Sequence, residues 1–157
     1  MVKNYCAYIE EAYLISYVSY FSLKVAERQR NPNKVHAVDL GLRNAVSMAH
    51  SADKGRLLES LVCQHLLRSK NNNIYYFSDQ GEVDFVVKNG TQVTKLIQVA
   101  YEGLDHEKTF SREMGALMNA AEKFPDADRW LLTDQMPERL PTEVDVIPFW
   151  KFFLCLQ

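Results

Sequence analysis

Between residues 74 and 102 three strand-like runs follow one another, "IYYFSD", "EVDFVVK" and "TKLIQVAYE", separated only by turn residues. Each is rich in β-branched and aromatic side chains, and each is too short to be a globular helix. This triplet sits between two stretches of helical periodicity. "SADKGRLLESLVCQHLLRSK" opens with Asp53 as a capping residue and repeats Leu58, Leu61, Val62 and Leu66 along one face. Asn71 to Asn73 stop it. "EKTFSREMGALMNAAEKF" forms a second long helical pattern, ended by Pro125. "RWLLT" and "EVDVIPF" then read as strands, and "FWKFFLCL" as an apolar closing segment. From residue 53 the order is helix, three strands, helix, strand. The sequence therefore predicts an α/β fold, a mixed central sheet flanked by helices. Strands are expected near 73–78, 82–88, 94–101 and 129–133, with helices over 53–70 and 107–123.

The first part of the chain has a different texture. Tyr5, Tyr8, Ile9, Ala12 and Tyr13 lie near helical spacing, so residues 3–14 read as a short amphipathic helix. "ISYVSYFSL" reads as a strand, "RNPNK" as a turn and "VHAVDL" as a second strand. Asp39 is placed to cap a helix beginning at Gly41. Residues 1–36 look like the end of a larger unit, and 37–157 like the main domain.

A length of 157 residues suits one ordinary domain with its own core. No apolar run approaches the length of a membrane span, and Glu10 and Glu11 interrupt the N-terminal apolar stretch where a signal peptide would need continuity. Cys6, Cys63 and Cys155 form no C-x-x-C pair, which argues against a thiolate zinc site and fits a reducing cytoplasm. His36, His50, His65 and His106 fall in no metal-ligand spacing. The net charge is −2, and no Gly-Lys-Ser/Thr occurs, so the chain has no Walker A loop. The charge is uneven, with Lys24, Arg28, Arg30 and Lys34 concentrated in "SLKVAERQRNPNK". That run is either a solvated turn or a nucleic-acid contact.

Asp84 stands in the middle of an otherwise apolar strand, where an acid is unfavourable unless solvated or paired. Alternation puts Glu82, Asp84 and Val86 on one face and Val83, Phe85 and Val87 on the other. Asp84 is thus an exposed position on a half-wet sheet or part of a site. Glu59 lies one position beyond Leu58 on the first long helix. It is a surface charge, paired with Arg56 three residues earlier, or it reaches over the sheet toward Asp84.

Glu59, Asp84 and the "LIQVAYE" strand together resemble the PD-(D/E)xK nuclease superfamily, and the element order of residues 53–133 is similar to its restriction-endonuclease-like core. More narrowly, "VHAVDLGLRNAVS", "DKGRLLESLV", "YYFSDQGEVDFVV", "KLIQVAYE" and "VIPFWKFFL" resemble the C-terminal domain of prokaryotic AAA-type P-loop ATPases. That domain is nuclease-like, of poorly defined function, and follows an ATPase module and a winged-helix segment. Residues 1–36 are similar to the end of that connecting segment. The resemblance implies that Asp84 and the residue at position 98 hold Mg or Mn, with Glu59 assisting, and that a lysine at position 100 orients water.

Gln98 and Ala100 depart from that pattern. An amide offers a dipole where a carboxylate offers a full charge, and alanine stabilises no developing charge. Arg56 remains as a fixed cation, able to stabilise charge but not to act as a base. Three functions follow as expectations. The first is a catalytically degenerate accessory or interaction domain of an ATPase, needing no cofactor. The second is a weak Mg- or Mn-dependent DNA endonuclease using Glu59, Asp84 and Gln98. The third is a DNA-binding module that does not cleave, using Lys24, Arg28, Arg30, Lys34 and Arg56.

The resemblance also conflicts with a local signal. Asn89-Gly90 is a preferred two-residue hairpin pair and would set Asp84 opposite Lys95. A nuclease-like site needs Asp84 beside Gln98 instead. A longer loop or a bulge is therefore expected, with Lys95 facing away from Asp84.

Overall fold

The structure, a computed structural model, describes residues 2–46, 54–69, 72–137 and 141–155. Its elements run α1 (Val2–Glu11), β1 (Ile15–Tyr20), α2 (Val25–Arg30), β2 (Lys34–Ala37), α3 (Leu40–Val46), α4 (Lys54–Leu67), β3 (Asn72–Asp79), β4 (Gly81–Asn89), β5 (Gln92–Ala100), α5 (Glu107–Lys123), β6 (Asp128–Thr133), β7 (Asp145–Pro148) and α6 (Phe149–Cys155). The strands form one seven-stranded mixed sheet in the order β2-β1-β3-β4-β5-β6-β7. β1 runs antiparallel to β2, and β3 to β5 form an antiparallel meander. β1 beside β3, β5 beside β6 and β6 beside β7 are parallel. Residues 15–37 thus contribute two strands to the same sheet as the rest of the chain.

Each face of the sheet carries its own core. α5 covers one face with Ala116, Leu117 and Ala120 against Val86, Leu96 and Leu131. Its alanines let the helix approach closely. A Cβ on Gly81, where β4 begins, would lie 2.9 Å from the Ala116 Cβ. α4 and α6 cover the other face, with Val62, Cys63 and Leu66 meeting Phe85, Ile97 and Phe152. Leu61, expected on the buried stripe of α4, is exposed, and Cys63 takes its place in the core. Burial holds the Cys63 thiol up at about 12, so it packs as a small apolar group.

Two local expectations are met directly. The Leu42 N–H donates to Asp39 Oδ1 at 2.9 Å, which caps α3. α5 ends at Lys123, just before Pro125. The Asp53 cap expected for α4 and the histidine at position 50 lie outside the described residues.

Two bulges set the register around Asp84. Asn89 pairs with Gln92, so the turn residues of the β4–β5 hairpin are Gly90, at φ 59°, and Thr91. Beyond the turn, Lys88 pairs with Val93 but Val87 pairs with Lys95, which leaves Thr94 as an extra residue. That bulge brings Phe85 opposite Ile97 and, one step further, Asp84 beside Gln98. Lys95 turns to the other neighbour, with its ammonium 4.6 Å from the centre of the Trp130 ring and 3.6 Å from Asp128. The second bulge lies in β4 itself. Tyr75 pairs with Val86 and Phe77 with Val83, so Tyr76 alone faces Asp84 and Phe85. Simple alternation therefore fails here: Val83 and Val86 both join the α5-facing core. The bulge is the reason, since one extra residue reverses the parity on either side of it.

Candidate functional site

Asp84 is 6% exposed, in the middle of the sheet, and both of its oxygens are engaged. Oδ2 accepts the Val99 N–H at 3.0 Å. Oδ1 accepts from the Lys34 ammonium at 2.9 Å. The Asp84 N–H donates to Gln98 Oε1 at 3.3 Å, so the Gln98 side chain takes over a backbone partner where the regular ladder ends. Gln98 Nε2 donates to Glu113 Oε2 at 2.6 Å. The other oxygen of Glu113 accepts from Arg112 Nε at 3.0 Å and also from Nη2. A polar chain thus runs from Lys34 through Asp84 and Gln98 to Glu113 and Arg112, between β2 and α5.

Lys34 stands at the start of β2, where it pairs with Val18. Its segment is fixed by the Tyr76 hydroxyl, which donates to the Pro32 carbonyl at 2.6 Å. The ammonium lies 5.6 Å from the centre of the Tyr76 ring and 2.7 Å from Glu82 Oε1. Burial alone would lower its pKa, but Asp84 and Glu82 outweigh that and raise it, so the group stays charged. For Asp84, burial pushes the carboxyl pKa up, opposed by Lys34 and the Val99 N–H. Lys34, one of the basic residues of the 24–34 run, is the half-buried counter-ion of Asp84.

Glu59 comes from α4 and lines a pocket of about 330 Å³ with Lys34, Val35, His36, Arg56, Ser60 and Glu82. Burial, and then the charge of Asp84, raise its carboxyl to about 7, while Lys34 and Arg56 pull the other way. The structure thus brings Glu59 within electrostatic reach of Asp84, and brings Asp84 and Gln98 into direct contact. Ala100 is buried in the α5-facing core. His36, two residues along β2 from Lys34, is 3% exposed. Its Nδ1 lies 3.4 Å from Ser60 Oγ, its ring 5.6 Å from that of Phe85, and its Nε2 has no partner among the described residues. Burial, reinforced by Lys34, lowers its pKa to about 4, so it is neutral at pH 7.

Of the other basic candidates Arg56 lines this pocket, whereas Lys24, Arg28 and Arg30 lie outside its lining. Lys24 pairs with Glu27 at 3.1 Å, and Ser22 Oγ also donates to Glu27, at 2.7 Å. Residues 25–30, within the run read as a solvated turn or a nucleic-acid contact, form the helix α2 with Arg28 and Arg30 in its last turn. His36, Ser60 and Glu113 carried no site reading in the sequence, and Lys34 only one as a basic residue of the 24–34 run. Glu113 left a usable signal: it is three, four and seven positions before Ala116, Leu117 and Ala120, on the buried stripe of α5.

Mg or Mn, implied by the nuclease-like pattern, does not fit these residues as they stand. A divalent ion on Asp84 would have to share Oδ1 with the Lys34 ammonium, whose charge repels it, or Oδ2 with the Val99 N–H. On Gln98 it would share Oε1 with the Asp84 N–H. Among the described residues no group of three or more His, Cys, Asp and Glu side chains is disposed to hold a metal ion.

The chain is 31% identical, over 166 residues that take in 98% of it, to Uncharacterized protein MJ1544 of Methanocaldococcus jannaschii. It spans 36% of the length of that relative. No solved structure matches it. Residues 54–152, from the start of α4 into α6, match the family described as Domain of unknown function (DUF4143). The chain therefore belongs to the DUF4143 family.

Proposed function

We propose that this chain is a nuclease-like accessory domain without nuclease chemistry, and that it serves an ATPase as an interaction module. The restriction-endonuclease-like core is part of this reading. It is supported by the order α4, β3, β4, β5, α5, β6 and by Asp84 standing beside Gln98. The observation that carries the loss of chemistry is the Lys34–Asp84 contact at 2.9 Å. A carboxylate with one oxygen on an ammonium and the other on a backbone N–H already has its charge balanced by a fixed cation, which repels a second cation from the same oxygens. Ala100 offers no group to orient water, and the Gln98 amide is held between a backbone N–H and Glu113.

The interaction role draws support from apolar side chains left on the surface. On α6, Trp150 is 67% exposed and Leu154 69%, although Phe149 and Phe152 of the same helix are buried. On α1, Tyr5 and Tyr8 are exposed too. Exposed aromatic groups grouped on helices are a common mark of contact with another protein surface.

The test is a paired assay of DNA binding and cleavage in Mg and in Mn, with the wild type and Asp84→Ala. The expected result is no cleavage by either protein. Cleavage that Asp84→Ala abolishes makes the chain a metal-dependent nuclease instead. Binding without cleavage makes it a DNA-association module.

A further inference from the structure

We propose that Lys34 is the built-in cation of this site, occupying the place between Asp84 and Glu82 that a divalent ion would take and thereby excluding such ions. The inference deepens the reading of a nuclease-like domain without nuclease chemistry, and rests on it.

The geometry supports it on three counts. First, the ammonium is shared: Lys34 Nζ is 2.9 Å from Asp84 Oδ1 and 2.7 Å from Glu82 Oε1, with Glu59 on the wall of the same pocket. Three carboxylates therefore converge on a region where a single cation reaches two of them directly. Second, those separations are ammonium distances, whereas a magnesium ion holds its oxygens at about 2.0–2.1 Å. Among the described residues no group of three or more His, Cys, Asp and Glu side chains is disposed to hold a metal ion. Third, Lys34 is anchored. β2 pairing, the Tyr76 ring and the Tyr76–Pro32 hydrogen bond hold its segment in place. A tethered cation competes at an effective concentration of about millimolar or higher, against which a weakly held free ion loses. The neighbouring His36 Nε2, buried on the same pocket and without a partner among the described residues, is a second polar group that Lys34 does not satisfy.

Without Lys34, Asp84 would be a buried carboxylate with Glu82 and Glu59 nearby, and Arg56 would be the cation left on the pocket wall. Such a cluster either protonates or recruits a cation. The consequence is specific. Removal of the ammonium without replacement should turn a metal-excluding cluster into a metal-accepting one.

The experiment is calorimetric titration of MnCl₂ into the whole chain as wild type, Lys34→Met and Lys34→Met/Asp84→Asn. Lys34→Met is expected to bind Mn at least about tenfold more tightly than the wild type, and the double variant to lose that gain. Wild-type binding as tight as that of Lys34→Met overturns the inference, even if the wild type cleaves no DNA. DNA cleavage by the wild type would instead overturn the functional reading beneath it. Should Lys34→Met not fold by itself, the readout is its far-ultraviolet circular dichroism with and without Mn. Recovery that the double variant does not show supports the inference, and no recovery overturns it.

Discussion

Lys34 and Asp84, 50 residues apart in the chain, meet at 2.9 Å although β1 and β3 lie between their strands in the sheet. Three inter-strand steps of a flat sheet span roughly 14 Å, beyond the joint reach of the two side chains. The β1–β2 edge must therefore curl over the face that carries α4. Contacts from α4 agree: Gln64 Nε2 donates to Ser16 Oγ at 3.2 Å, and Ser60 lies against His36. The ion pair fastens this curled edge to the centre of the sheet. Lys34→Met leaves Asp84 buried and unpaired, and is expected to cost about 3–5 kcal/mol. Adding Asp84→Asn removes the stranded charge and should recover part of that loss. Urea denaturation of the two single variants and the double variant measures both effects.

Restoring the missing carboxylate should not restore a metal site. Gln98→Glu loses the amide donor to Glu113, now 2.6 Å away, and sets two carboxylates side by side in a buried place. The variant is expected to be less stable than the wild type by about 2–3 kcal/mol at pH 7. Its new carboxyl pair will have a raised pKa, so the penalty is smallest in acid and grows as the pH rises through that value. Denaturation at pH 5 and pH 8 tests the sign. An equal penalty at both would mean that the two groups do not interact.

The expectations drawn from periodicity were met where a segment was long and its neighbours were local. α4, α5 and the three strands of the meander lie where the spacing put them, and Asp39 caps as its position suggests. What sequence could not give was anything that depended on a distant partner or on one inserted residue. Lys34 reads as one of four basic residues in a short run because its partners are some fifty positions away. The Thr94 bulge shows no local signature, and only the need to bring Asp84 beside Gln98 pointed to a change of register. The bulge at Asp84 and Phe85 reversed a parity that alternation alone had fixed wrongly. The helix in "VAERQR" is six residues long, below the length at which periodicity is informative.

Gly81 marks where the β3–β4 turn passes under α5. Its φ is 139°, a conformation that L side chains rarely adopt, and an added Cβ would meet Ala116 at 2.9 Å. Gly81→Ala is therefore expected to destabilise by about 2–3 kcal/mol through strain and overpacking together. Gly90, at φ 59° with nothing near its Cβ position, should tolerate alanine at a cost of about 1 kcal/mol. Thermal melts of the two variants rank them, and a smaller loss at Gly81 would contradict the close approach of α5.

Glu59 and His36 should give the stability of this protein two opposing pH slopes. The Glu59 carboxyl is raised in the fold from 4.5 to about 7, by burial and then by Asp84. Its neutral form is the favoured one, so its contribution is lost as the pH rises from about 4.5 through 7. His36 is lowered from 6.5 to about 4 by burial and then by Lys34. It folds neutral, so its contribution is present above 6.5 and lost as the pH falls toward 4. Between pH 4.5 and 6.5 the two slopes oppose, and the wild type should be flatter than either variant. Glu59→Gln leaves the His36 slope exposed, and its advantage over the wild type should grow from near zero at pH 4.5 to about 1 kcal/mol at pH 8. The figure is well below the full free energy of the shift, because the carboxyl is partly exposed and screened. His36→Asn leaves the opposite slope, with stability falling over the same range. Denaturation curves for the three proteins at four pH values decide it. If neither variant differs from the wild type in slope, the pocket is wet enough to leave both groups at their ordinary values.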